Sequence, residues 1–339
     1  MSRLKRARGA ILVPMLAILL SGTVACSSSP EPSRPQAEAS DAGSSPPGIP
    51  LSELEGHILF ARAGGRFGEE TLFTVNADGS DEKQIFKKTC CPRWFPQGTT
   101  VSLAHLDAEG KRVSTGIVNA NGKHLKILPL PPGGLNLGCA AAWSHDGLMA
   151  CEGWNDEHHA EDGIYVRRPD GSGTRRVTHA PSGFHDIPAD FSPDGRQIVF
   201  IRQPLEFDHP TGPLFIVNVD GSGLHRITRD SYASYTARFS PDGKWIAFTG
   251  EFWSSPGSPM WVVHPDGSGL KKIFEDKEGR SAATPTWSPD GSMLLFGLGP
   301  VAADDHPPNA LCVIRADGTD LTTIIDSPDF KREFDWTDR

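Results

Sequence analysis

Histidine and carboxylate recur together in four stretches of this chain: "EGWNDEHHAEDG" (152–163), "HAPSGFHDIPAD" (179–190), "QPLEFDHPTGP" (203–213) and "GPVAADDHPPN" (299–309). The candidate imidazoles among them are His158, His159, His185, His209 and His306. Their acidic neighbours are Asp156, Asp186, Asp208, Asp304 and Asp305. Imidazole beside carboxylate moves protons near neutral pH, and several such pairs converging from different segments hold a divalent ion. The spacing argues against metal. No pair stands at a ligand spacing on a defined element, and adjacent His158 and His159 point apart in an extended chain. No metal and no cofactor is therefore expected. Trp154, Tyr232, Tyr235 and Trp253 lie in the same kind of segment; such rings either stack on sugars and peptide side chains or cover the loop's own core. The chain shows no H-E-x-x-H, no P-loop and no G-x-S-x-G, so no residue is assigned as catalytic.

What positions these segments is a repeat. "FSPDGRQIVF" from Phe191 returns as "FSPDGKWIAF" from Phe239 and "WSPDGSMLLF" from Trp287. The aromatic that opens the motif forms the series Trp94, Trp143, Phe191, Phe239, Trp287 and Trp336, with steps of 49, 48, 48, 48 and 49 residues. A second marker, an apolar run before an Asp-Gly or Asn-Gly turn, also occurs six times, as in "LFTVNADGS" and "MWVVHPDGSG". A period in this range means stacked or ring-forming units.

In Ser-Pro-Asp-Gly, Ser suits the first turn position, Pro presets φ at the second, and Gly accepts the positive φ at the end. The flanks are short runs of β-branched and aromatic residues. Each unit thus holds two hairpins, four short strands, and no helical period, which describes one propeller blade. The termini complement each other. "GHILFAR" (Gly56–Arg62) is the second half of a hairpin without its first, and "FDWTDR" (Phe334–Arg339) is a first half without its second. The expected fold is all-β: a six-bladed β-propeller over 51–339, closed where the C-terminal strand joins the N-terminal blade.

The residues "FSPDG…IVF" followed by "IYV…PDGSG…RRVT" resemble the TolB-type β-propeller repeats, and related repeats occur in the propellers of prolyl-oligopeptidase-type enzymes. The resemblance spans about 51–339. It implies the fold and leaves function open. Two departures stand out: the α/β domain that precedes the TolB propeller is replaced by a short tether, and the hydrolase domain of the peptidases is missing.

In such a ring, the Ser-Pro-Asp-Gly and Asp-Gly turns fall on one face and vary little. That face reads as scaffolding. The loops between second and third strands and the blade-to-blade crossings fall on the other, which carries all the His, Asp and aromatic candidates named above.

The 339 residues carry a net charge of -9, with 36 Gly and 29 Pro, a turn-rich β composition. The acidity argues against nucleic acid as a partner. Residues 1–25 read as a lipoprotein signal peptide: basic "MSRLKRARGA", apolar "ILVPMLAILL" that is too short to span a bilayer, then small residues before Cys26, the expected lipidation site. Ordinary cleavage after Ala25 is the plainer alternative. Residues 26–50, rich in Ser and Pro, read as a disordered tether. Of the remaining cysteines, Cys139 and Cys151 straddle "SHDG" and could pair across one hairpin; Cys90 or Cys91 with Cys139 is the rival. The reading is a monomeric binding module, lipid-anchored to the outer face of a bacterial membrane (cytoplasmic or outer), that presents its variable face to a protein or glycan of the cell envelope. The alternative is a lyase or hydrolase acting on glycan through a His/carboxylate site at the pore mouth.

Overall fold

The computed structural model describes residues 48–62, 70–106, 113–131, 135–138, 141–155, 159–205, 212–229, 236–250, 257–300, 310–329 and 331–338. The expected signal peptide, Cys26 and the tether as far as Pro47 lie outside the described residues.

Short apolar strands separated by tight turns build six antiparallel sheets, the six blades of a propeller. Blade 1 runs outward from the axis as Lys331–Thr337, His57–Arg62, Glu70–Asn76 and Lys83–Thr89. Blade 2 begins at Arg93–Trp94, and the innermost strand of blade 3 is in two pieces, Asn136–Leu137 and Ala142–Trp143. Blades 4, 5 and 6 begin at Phe184–Phe191, Arg238–Phe239 and Ser281–Trp287. The ring closes as the half-hairpins imply. The last strand pairs with the first, His57 opposite Thr337 and Ile58 opposite Trp336, and the Trp336 indole N–H donates to the Glu55 carbonyl at 2.9 Å.

Second strands carry consecutive buried residues rather than an alternating pattern, as in residues 58–61, 198–201 and 246–249, because a blade is covered by a neighbour on each face. All seven residues of Met293–Gly299 are buried. The core is accordingly divided among the seams. One cluster joins Ile58 and Phe60 of blade 1 to Leu295 and Val313 of blade 6, with Phe334 and Trp336 of the closing strand. Another joins Leu59 and Leu72 of blade 1 to Trp94 and Val101 of blade 2.

The two turn types do different work. In Ser192-Pro-Asp-Gly195, the Ser192 hydroxyl donates to the Asp194 carboxylate at 2.6 Å and accepts the Gln197 N–H at 2.9 Å, and Gly195 takes φ +70°. Ser240 and Ser288 repeat the arrangement. The Asp-Gly turns reach across seams. A side chain at Gly318 (φ +95°) would meet the Ile273 carbonyl of blade 5 at 2.4 Å. The glycine therefore serves both the left-handed backbone and the close approach of the next blade.

Candidate functional site

The innermost strands are irregular just before their aromatic markers. Register shifts fall between Pro188 and Asp190 and between Ala283 and Thr286, and Cys91, Thr284 and Glu333 take left-handed backbone three residues before the marker. Bulges of this kind re-aim the side chain that follows. Here the residue immediately before each marker lines the axis: Arg93, Ala142, Asp190, Arg238, Thr286 and Asp335. In ring order the set reads Arg-Ala-Asp, then Arg-Thr-Asp, so an Arg-x-Asp half-ring occurs twice.

Each Asp binds the next blade. Asp190 accepts from Phe239 N at 2.9 Å, and its other oxygen from Phe191 N at 2.9 Å. Asp335 accepts from Trp94 N at 2.7 Å and from Trp336 N at 3.1 Å. Each Arg also reaches a neighbouring backbone. Arg93 Nε donates to the Ala141 carbonyl at 3.0 Å, and Arg238 donates to the Ala189 carbonyl at 2.5 Å.

Two positive and two negative groups held inside a ring of apolar seams are partly stripped of water. Burial pushes the Asp190 carboxyl up to about 6, against the opposing pull of Arg238 and the Phe239 N–H. Burial likewise raises Asp335 above the ordinary carboxylate range. Burial, with Arg93 nearby, lowers Arg238 to about 10. Asp190 and Asp335 keep partial access to water through the channel although they lie deep within the ring. Above these groups a cavity of about 300 Å³ opens among the Ser-Pro turns, with Pro96, His145, Pro193, Pro241 and Pro289 at its rim. The face expected to be plain scaffolding thus carries a polar axial cavity.

The loop-face candidates divide. Asp156, His158, Asp208, His209, Tyr232, Tyr235, Trp253, Asp304, Asp305 and His306 lie outside the described residues, and of His159 only the backbone is described, in a short turn, His159–Glu161. Trp154 ends the second strand of blade 3, and His185 and Asp186 stand near the start of the innermost strand of blade 4. His185 Nδ1 lies 3.1 Å from the Glu152 carboxylate across the seam between those blades. Asp186 is buried and clamped by Arg202 through two contacts of 2.7 and 2.9 Å. That carboxylate is committed to its own sheet. Among the described residues no three His, Cys, Asp or Glu side chains gather as a metal site. Cys151 is buried on the second strand of blade 3, where the pairs Gly153–Leu137 and Ala150–Ala142 flank it; Cys139 lies outside the described residues. Cys312 is buried in blade 6, and burial pushes its thiol up to about 11.

The sequence reading missed the axial set. Its signal was positional: one residue per repeat, always just before the aromatic.

A closed six-bladed propeller with a polar axial cavity defines the class: an all-β ring scaffold with a cavity at its axis. Within that class, the chain belongs to the TolB β-propeller family, whose description, TolB beta propeller domain, matches residues 57–337. Among solved structures it is similar to TolB from Acinetobacter baumannii, with a TM-score of 0.62 and 16% identity over 83% of this chain and 66% of that one. The match therefore takes in just under two thirds of that protein. A putative TolB from Agrobacterium tumefaciens gives 0.58 and 17%, over 82% and 91% of the two chains. An oligogalacturonate lyase in complex with manganese gives 0.51 and 11%, over 79% and 73%. At these identities the likeness is one of fold.

Proposed function

We propose that this protein is a non-catalytic binding module of the cell envelope, held to the outer face of a bacterial membrane by lipid on Cys26, whose axial cavity receives a polar segment of a protein partner. The observation that carries the reading is that the axial Asp and Arg side chains are already engaged with backbone. Asp190, Asp335, Arg93 and Arg238 hold blade to blade. A catalytic acid or base must be free to exchange a proton with substrate. Groups fixed in this way instead present a rigid, charge-balanced floor that costs little reorganisation on binding. The basic, apolar, small-residue leader of residues 1–25, directly before Cys26, supports export and anchoring.

Two measurements test this. Cys26→Ser should move the protein from the membrane fraction to the soluble one. Thr286→Phe, which fills the cavity floor, should abolish capture of the partner in pull-downs from detergent-solubilised membranes while leaving the thermal midpoint close to wild type. Undiminished capture would exclude the axial cavity.

A second reading rests on the His185–Glu152 contact, an imidazole and a carboxylate 3.1 Å apart on the loop face. As an acid/base pair it would serve a glycan-acting lyase or hydrolase. Turnover of oligogalacturonate or other acidic oligosaccharides, lost in His185→Ala, would favour it.

A further inference from the structure

A second cavity, of about 570 Å³, lies in the seam between blades 1 and 2, and this volume is in the range of small-molecule sites. Its walls come from the outer strands of blade 1 and from two turns of blade 2. Val75, Ile85 and Ala120 supply apolar surface. Trp94 separates this space from the axial cavity, since it lines both.

Trp94 differs from the other tryptophans at the same repeat position. The indole N–H of Trp143 donates to the Ser102 hydroxyl at 2.8 Å, that of Trp287 to the Arg238 carbonyl at 3.1 Å, and that of Trp336 to the Glu55 carbonyl at 2.9 Å. The N–H of Trp94 is buried without an acceptor, and Trp94 itself is 8% exposed. An unpaired buried donor is uncommon in a native fold and sets this wall of the seam apart from its counterparts.

The groups at the rim narrow the chemistry of that partner. Lys83 and Asp81 pair with each other and cancel. The His57 imidazole, the Gln84 amide and the Thr99 hydroxyl have no side-chain hydrogen bond among the described residues, and Asn121 uses only its carbonyl, on Lys123 N at 3.1 Å. The Gln84 and Asn121 amides and the Thr99 hydroxyl both donate and accept, and set around an apolar floor with an indole they suit hydroxyls on a C–H face. With Lys83 and Asp81 paired, the amides and the hydroxyl favour an uncharged ligand.

We propose that the seam between blades 1 and 2 binds a neutral saccharide, whose C–H face packs on the Trp94 side chain and whose hydroxyls bond the rim amides. The site is independent of the axial reading above and stands or falls separately.

The test is nitrogen-15 NMR of the indole N–H signals, with Trp94 assigned from Trp94→Phe, during titration with N-acetylglucosamine, its β-1,4-linked dimer, glucose and galactose. A saturable shift of the Trp94 signal by at least one sugar is expected, with a Kd near the millimolar values of weak, single-site binding. Gln84→Ala and Asn121→Ala, both exposed surface changes, should weaken it about fivefold or more. If Trp94→Phe fails to fold, those two variants and the spread of the remaining indole signals still decide the matter. A Trp94 signal unmoved up to about 20 mM of every sugar, or a shift unaffected by both alanine variants, would overturn the proposal.

Discussion

Asp190→Asn isolates the electrostatic cost of the axial ring. The wild-type carboxyl titrates near 6 in the folded protein, against 3.8 for an ordinary aspartate. Between those values the native state holds a proton that the unfolded chain has released. Wild-type stability therefore falls as pH rises through this window and levels off above about 6. A displacement of this size corresponds to about 3 kcal/mol. Asn is neutral at every pH and keeps a carbonyl acceptor for one of the two N–H groups, so it loses about 1 kcal/mol at acid pH, where both side chains are uncharged. Asp335 and the other ionisable groups are common to both proteins and largely cancel in the difference. Urea unfolding at about pH 4 and about pH 8 should show the variant gaining on the wild type by roughly 2–2.5 kcal/mol from the first condition to the second, most of the full displacement because pH 4 lies just inside the window. Parallel pH profiles would refute the reasoning, because they would mean that Asp190 carries no net desolvation cost, Arg238 and the Phe239 N–H compensating it in full.

Further predictions concern the seams and the closure. Gly318→Ala should cost about 1–2 kcal/mol for its left-handed backbone, plus the displacement of the Ile273 carbonyl. Gly173→Ala, also at positive φ but with nothing near the added carbon, should cost the backbone part alone, so equal losses in chemical denaturation would dismiss the seam contact. Removal of residues 331–339 strips Phe334 and Trp336 from the seam between blades 6 and 1, worth about 2–3 kcal/mol each, and leaves an open sheet edge. That chain should lose cooperative unfolding or aggregate, whereas Trp336→Phe, which deletes only the bond to Glu55, should lose about 1 kcal/mol. An unchanged midpoint after truncation would mean that the ring is not closed there.

The fold was legible because its determinants are local and repeated. The aromatic series, the Ser-Pro-Asp-Gly turns and the complementary half-hairpins each demand short-range chemistry, and a six-unit ring satisfies them all. The site was harder to read for two reasons. Arg93, Ala142, Asp190, Arg238, Thr286 and Asp335 are brought together by the ring alone, about 48 residues apart in sequence and unlike in type, so no motif marks them. His and Asp neighbours draw the eye because they are adjacent, yet adjacency in sequence does not make a site: Asp186 spends its carboxylate on Arg202 of the next strand, while His185 reaches across a seam to Glu152. The unpartnered indole of Trp94 was equally hidden, since the sequence shows four tryptophans in one repeat position and only the packing tells them apart.

The most direct test of the account places a photo-crosslinking amino acid at His145, exposed at the mouth of the axial cavity, and another at Leu224, exposed on the outer edge of blade 4. Irradiation of intact cells should yield one discrete cross-linked protein from position 145, lost when Thr286→Phe fills the cavity, and none from position 224. Capture from position 224 with none from position 145 would contradict the claim that this protein recognises its partner at the axis.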